Sequence, residues 1–256
     1  MNKPKETLDT AEENNLEEAY QTYRFLKGEI KVWQEERGAF WAKKLNPEKS
    51  PPYYPLVNLP GAAILELWAR LNRVMEEDVP ESVLKDVWQN FKEGQGIQEP
   101  WLQSTLQLAL SGLAQLARLT VISQAEDQNF MKENEEKQGI DACCPICGEK
   151  AVLSVLVPPH GKRLLHCIFC GQEWPTMRVG CILCGREEAS SQNYLLSKEY
   201  PGVELVTCDL CGQFFKEFDL RLLSAVDLVW EDVRTLPLNY AGQQWLTEHM
   251  QFTISS

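Results

Sequence analysis

Three histidines are all the chain has, and its first 142 residues contain neither a histidine nor a cysteine. That stretch also lacks any nucleophile–base or phosphate-cradling motif, so imidazole, thiol and cysteine- or histidine-bound metal chemistries have nothing to build on there. Positive charge is scarce as well. With 25 basic against 37 acidic residues the net charge is -12, which argues against broad nucleic-acid or anionic-membrane binding. The deficit is shared. Residues 1–140 carry 16 basic and 23 acidic side chains, and the remainder 9 and 14. There is no uninterrupted apolar run of membrane length. Leu106 to Ile122 is broken by Gln107, Gln115 and Arg118, which predicts a buried helix, not a span. The opening "MNKPKETLDTAEENNLEEAY" is polar, and no Arg-Arg pair occurs anywhere, so a cytoplasmic location is expected.

What is present divides at about residue 140. Leu16, Tyr20, Tyr23, Leu26, Ile30 and Trp33 recur at helical spacing, and "NPEKSPPYYPLVNLPG" then interrupts with five prolines. Further helices are expected from Ala62 to Glu77, with Ile64, Leu67, Trp68, Leu71 and Met75 inward, and from Pro80, with Val83, Leu84, Val87, Trp88 and Phe91. The last should run from about Pro100 to Met131 on a stripe of Leu102, Leu106, Leu110, Leu113, Ala117 and Thr120. Trp33, Trp41, Trp68, Trp88 and Trp101 are read as core residues. The charged segment 132–140 fits a linker. Residues 1–140 are thus expected to form an all-α packing module that folds independently of the second half of the chain.

All nine cysteines lie beyond it, eight of them in four knuckles: "CPICG" from Cys144, "CIFCG" from Cys167, "CILCG" from Cys181 and "CDLCG" from Cys208. A Cys-x-x-Cys-Gly turn aims two sulfurs at one point, and its glycine accepts the positive φ the turn requires. Two such turns supply the four sulfurs of a tetrahedral zinc or a single iron. Between the first two knuckles lies an apolar run, a turn at Pro158 to Gly161, and a second run into Cys167. The plan repeats with "NYLLS", a turn at Pro201-Gly202, "VELVTC" and a third strand "QFFKEF". Each unit reads as a zinc ribbon or rubredoxin-like module. The simplest pairing is sequential: Cys144, Cys147, Cys167 and Cys170 for one ion, and Cys181, Cys184, Cys208 and Cys211 for the other. Spacing alone leaves an interleaved pairing open, and iron or zinc equally so. Thiol-redox pairs are the weaker alternative, because the βαβ setting of a thioredoxin motif is missing.

Cys143 is read as a bystander, and His166 as an ordinary strand residue in preference to a donor to a ligand sulfur. His160 and His249 have no evident acid–base partner. A closed four-sulfur site leaves no position for water or substrate, so the expectation is a protein without catalysis. The ten-residue junction "GQEWPTMRVG" places Trp174 and Arg178 between the two metal sites. These are candidate partner-binding residues by type, with plain packing as the alternative.

The stretch "CPICG", "RLLHCIFCGQEWPTMRVGCILCG" and "CDLCGQFFK", from Cys144 to about Leu228, resembles the formate dehydrogenase accessory protein family FdhE. The matching positions are the eight knuckle cysteines, Arg163, His166, Trp174, Arg178 and Lys216. The resemblance implies an α+β chain: a helical domain (1–140), a first rubredoxin-like module (141–178) and a second with a C-terminal helix and tail (179–256). It implies two ions of iron or zinc, each on four cysteines. It also implies a cytoplasmic, non-catalytic factor that engages the catalytic subunit of a molybdenum- or tungsten-dependent formate dehydrogenase. No nucleic-acid or membrane partner is implied, and a homodimer is compatible. The sequence departs from the family at Val226-Asp227, where an Asp-Asp pair is usual, and along "VWEDVRTLPLNYAGQQWL". The residues alone keep two alternatives open: a zinc ribbon contacting nucleic acid or the transcription machinery, and a rubredoxin-like electron carrier.

Overall fold

In the computed structural model, residues 9–125, 142–224 and 227–249 are described. The linker 132–140, the end of the expected fourth helix at 126–131, Val226 and the tail from 250 lie outside the described residues. Four helices come first: α1 (Asp9–Ala42), α2 (Gly61–Val74), α3 (Glu81–Lys92) and α4 (Pro100–Ala125). Their starts and stops follow local chemistry. Pro60, Pro80 and Pro100 stand at the first turns of α2, α3 and α4, where no amide donor is needed, and Gly94, at φ 77°, closes the turn after α3.

The helices meet on the expected stripes. Ile30, Trp33, Ile64, Leu67, Trp68, Leu71, Leu106, Leu110 and Leu113 are all buried. Gly112 sits where α1, α2 and α4 converge, and a Cβ there would lie 2.8 Å from both Ile30 and Leu67. Ion pairs from Arg37 to Glu66, and from Arg70 to Glu29 and Glu36, tie α1 to α2 along the rim. Four of the five tryptophans lie in the core, whereas Trp101 is exposed. Leu16, Met75 and Val83, expected inward, are exposed too: α2 ends at Val74, one residue before Met75. The segment from Pro100 to Ile122 is long and apolar enough to cross a membrane, yet 61% of its most apolar window is buried inside the protein. It is the central helix of this layer.

The second half forms one sheet. Strands β1 (Leu153–Val157), β2 (Lys162–His166) and β3 (Glu173–Pro175) make one antiparallel ribbon, and β4 (Gln192–Leu196), β5 (Val203–Cys208) and β6 (Gln213–Asp219) make the other. The ribbons join through β1 and β6, which run parallel, in the order β3-β2-β1-β6-β5-β4. Helices α5 (Leu228–Arg234) and α6 (Leu236–His249) come last, and Leu238 of α6 packs with Leu153, Val155, Val203, Leu205 and Phe218 of the sheet.

The two halves meet in one apolar core, although the charged linker suggested a boundary between them. Cys144, Ile146, Cys147, Cys167 and Cys170 lie in the same apolar core as Trp33, Trp41, Tyr54 and Leu110. The proline-rich connection is what brings them together. The Tyr53 N–H donates to the Pro145 carbonyl at 3.1 Å, and the Tyr54 N–H to the Ile146 carbonyl at 2.7 Å. At the other end α5 returns to α1. Asp227 caps α5 by accepting from the Val229 and Trp230 amides, and the Tyr23 hydroxyl donates to it at 2.9 Å. Burial first, then the Asp227 carboxylate, hold that phenol well above its ordinary range. Trp230 packs its ring 4.8 Å from Tyr20 and 5.5 Å from Tyr23.

Candidate metal centres

The four knuckles are built alike. The amides of Gly148, Gly171, Gly185 and Gly212 donate to the carbonyls of Cys144, Cys167, Cys181 and Cys208, each at 2.9 Å. All four glycines have φ between 65° and 82°, a region closed to most side chains. The first cysteine of three knuckles also donates its amide across the turn, to Glu149, Gln172 and Arg186 respectively. The fourth continues directly into the β5–β6 pairing, where Cys208 faces Gln213.

These turns gather the sulfurs into two sets, Cys144, Cys147, Cys167 and Cys170, and Cys181, Cys184, Cys208 and Cys211. Within each set all four lie within 4.8 Å of one another. This is the sequential grouping; the interleaved one does not occur. Four sulfurs around one ion at ~2.3 Å would stand about 3.8 Å apart. The closest separations given by the structure are 3.4 and 3.3 Å in the first set and 3.7 and 3.9 Å in the second. Both sets therefore have the size and donor type for a tetrahedral thiolate site of zinc or iron.

Proton affinities describe the same fit. In the first set Cys147 and Cys170 are pushed far above the ordinary thiol range, by their hydrogen bonds to Cys144 first and by the other sulfurs and burial. Cys167 is pulled far below that range by hydrogen bonds from Cys144, Cys147 and Cys170. Four like charges gathered in an apolar core would repel one another. A bound cation is what would let all four ionise. In the second set burial pushes Cys181 up to about 11 and raises Cys211 further. At Cys184 burial is outweighed by the Arg186 amide and the neighbouring sulfurs, so that thiol sits low.

The other candidates separate. Cys143 is exposed, belongs to neither set, and pairs its backbone with Lys150. His166 faces Glu173 across β2 and β3 with Nδ1 3.1 Å from the carboxylate, as a strand residue would, and His160 is exposed in its turn. Trp174 is half-buried opposite Leu165 and packs against both the helical core and the core around the second set. Arg178 is exposed.

The sequence reading missed a buried polar seam between the ribbons. Arg163, 2% exposed, pairs with Glu217 at 2.5 Å, reaches the Gly180 carbonyl at 2.9 Å, and lies 5.0 Å from the centre of the Phe215 ring. The Ser154 hydroxyl donates to the same carboxylate at 2.9 Å. Lys216, also 2% exposed, donates to the Asp232 carboxylate and carbonyl on α5, and burial lowers its proton affinity. Arg163 and Lys216 stood out in the sequence only through the family resemblance. Their strands, KRLLH and QFFKEFD, carry several polar and charged residues, so no local pattern marked Arg163 and Glu217 as a buried pair.

A helical layer that encloses one four-cysteine site, joined to a sheet that carries a second, defines a class of tandem metal-ribbon proteins. Residues 143–178 match the family model described as the FdhE central domain. A protein FdhE homolog of Aquifex aeolicus is 34% identical over 106 residues, or 40% of this chain and 37% of that one. One from Edwardsiella ictaluri is 37% identical over 99 residues, 38% of this chain and 32% of its own. Protein FdhE of Escherichia coli O1:K1 / APEC is 28% identical over 84% of this chain and 62% of its own. The matched stretch thus spans about a third of the first two relatives' length. The crystal structure of the FdhE protein from Pseudomonas aeruginosa shares the fold, with a TM-score of 0.52 at 17% identity over 86% of this chain and 82% of that one. The chain is similar to FdhE proteins, over residues 143–178 by the family model and over about two fifths of its length at 34% and 37% identity.

Proposed function

We propose that the chain is a cytoplasmic accessory factor that binds the catalytic subunit of a molybdenum- or tungsten-dependent formate dehydrogenase and supports its maturation. The reading is supported most by the FdhE central-domain match at residues 143–178, the stretch that carries the first four clustered sulfurs. On this reading Cys144, Cys147, Cys167 and Cys170 hold one iron or zinc ion, and Cys181, Cys184, Cys208 and Cys211 hold another. Each ion is closed by four sulfurs, which suits a role in shaping a surface and leaves no coordination position for a substrate. The work of the protein is then recognition, not catalysis.

Trp174 and Arg178 belong to this reading as client contacts with unequal parts. Trp174 packs beneath the junction, against both cores, and positions it. Arg178 is exposed there and offers a planar fork to a carboxylate or carbonyl. Arg178→Ala should weaken client binding by about 1–3 kcal/mol without changing metal content. Affinity purification of the intact chain, read by mass spectrometry, tests the function itself. Recovery of a formate dehydrogenase catalytic subunit, with lost formate dehydrogenase activity on deletion of the gene, is expected. Unchanged activity with no oxidoreductase recovered would contradict the reading.

A further inference from the structure

The two sulfur sets come from near-identical turns, yet their surroundings differ. In the first set every cysteine is at most 2% exposed. The residues before the second cysteine of each knuckle, Ile146 and Phe169, are sunk against the helical core. The backbone of those tips is covered as well. Tyr53 and Tyr54 donate to the first knuckle, and the Ser111 hydroxyl donates to the Phe169 carbonyl at 2.7 Å. Pro52 lies so close to Gly148 that a Cβ there would sit 3.1 Å from its ring.

Among the described residues the second set has no such cover. Cys181 and Cys208 are buried, but Cys184 is exposed and Cys211 half-exposed. The tip residue Leu210, which corresponds to Phe169 in the first pair, is 56% exposed. The set's separations of 3.7 and 3.9 Å match those expected of four sulfurs on one ion, so the openness is not a failure to assemble. Reaching an ion in the first set requires the helical core to open, whereas reaching one in the second requires only approach to Cys184.

We propose that the second set is a metal-exchange site, open through Cys184 to thiol-bearing acceptors, while the first set keeps its ion as part of the core. The proposal rests on the functional reading in which both sets bind a metal. The step is ligand substitution. The sulfur of an incoming thiol forms a bond to the ion as the Cys184 sulfur leaves. The proton given up by the incoming thiol ends on Cys184, and no electron changes hands. Repetition at Cys211, and then at Cys181 and Cys208, each sulfur leaving with a proton from an incoming thiol, would pass the ion to the acceptor. The acceptor class is a molecule or protein presenting two or more thiols.

The test uses the intact chain loaded with zinc, with metal content measured before a chromogenic chelator, 4-(2-pyridylazo)resorcinol, is added. Two ions per chain are expected, released in two phases with rates at least about tenfold apart. Alkylation during release, mapped by mass spectrometry, should mark Cys181, Cys184, Cys208 and Cys211 in the fast phase. Dithiothreitol, a small dithiol, should accelerate that phase in proportion to its concentration. Cys184→Ser should retain one ion and show only the slow phase. Release of both ions at one rate, or a fast phase that marks Cys144, Cys147, Cys167 and Cys170, would overturn the proposal and leave metal binding intact. Fewer than two ions on the loaded chain would instead remove the reading on which it rests.

Discussion

The first and second knuckle pairs differ little in sequence and greatly in what depends on them. The first is a component of the helical core, in contact with a connection about 90 residues upstream of Cys144, and its four sulfurs are closed off from solvent. The second lies in a smaller core between the ribbons, with Ile182, Val206 and Phe215 from its own ribbon and Ala151 and Leu165 from the first, and shows Cys184 to solvent. The same turn therefore does two jobs. Where the chain wraps the knuckle, a bound metal and the fold would form one cooperative unit; where it does not, the site would be local.

The largest expected break in this contrast is Cys147→Ser. It should abolish one metal equivalent and destabilise the helical half with it, by at least about 3 kcal/mol, seen as helical circular dichroism lost at a lower temperature. Retention of wild-type melting would show that the shared core is not cooperative. Next comes the seam that joins the two ribbons. Arg163→Met leaves Glu217 buried without its cation and should cost about 3–5 kcal/mol in chemical denaturation, while Arg163→Met with Glu217→Met should recover most of that. Equal loss in the single and double variants would mean that the pair matters only for its packing.

A smaller effect is expected at the far end. Asp227→Ala removes the α5 cap and the acceptor for Tyr23, and should cost about 1 kcal/mol by denaturant titration while both ions stay bound. Loss of an ion would tie that contact to the metal sites. The smallest is Cys184→Ser, which should remove the second ion but lower the helical melting free energy by less than about 1 kcal/mol. A collapse of the helical signal in this variant would erase the distinction between the sites.

Much of this was legible in the chain itself, for a definite reason. The knuckles, their hairpins and the four helical stripes are local patterns, set by spacing of two, three or four residues. The sequential grouping of sulfurs comes from the same locality, since each hairpin returns its own second knuckle to its first. What was not legible is long-range. Nothing in "SPPYY" announces that Tyr53 and Tyr54 donate to Pro145 and Ile146, and a charged linker suggested separation instead. The parallel pairing of β1 with β6 has no hairpin to signal it. It is secured by Arg163, Ser154 and Glu217, three polar residues whose partners lie on other strands. The exposure of Cys184 against the burial of Cys147 is a consequence of that packing and has no signature in the motif.

The most direct test of the two-site account is X-ray absorption on the purified intact chain, paired with elemental analysis. The account predicts about two ions of iron or zinc per chain, with four sulfur scatterers each at about 2.3 Å. A single ion per chain, or nitrogen and oxygen in the coordination sphere, would contradict it.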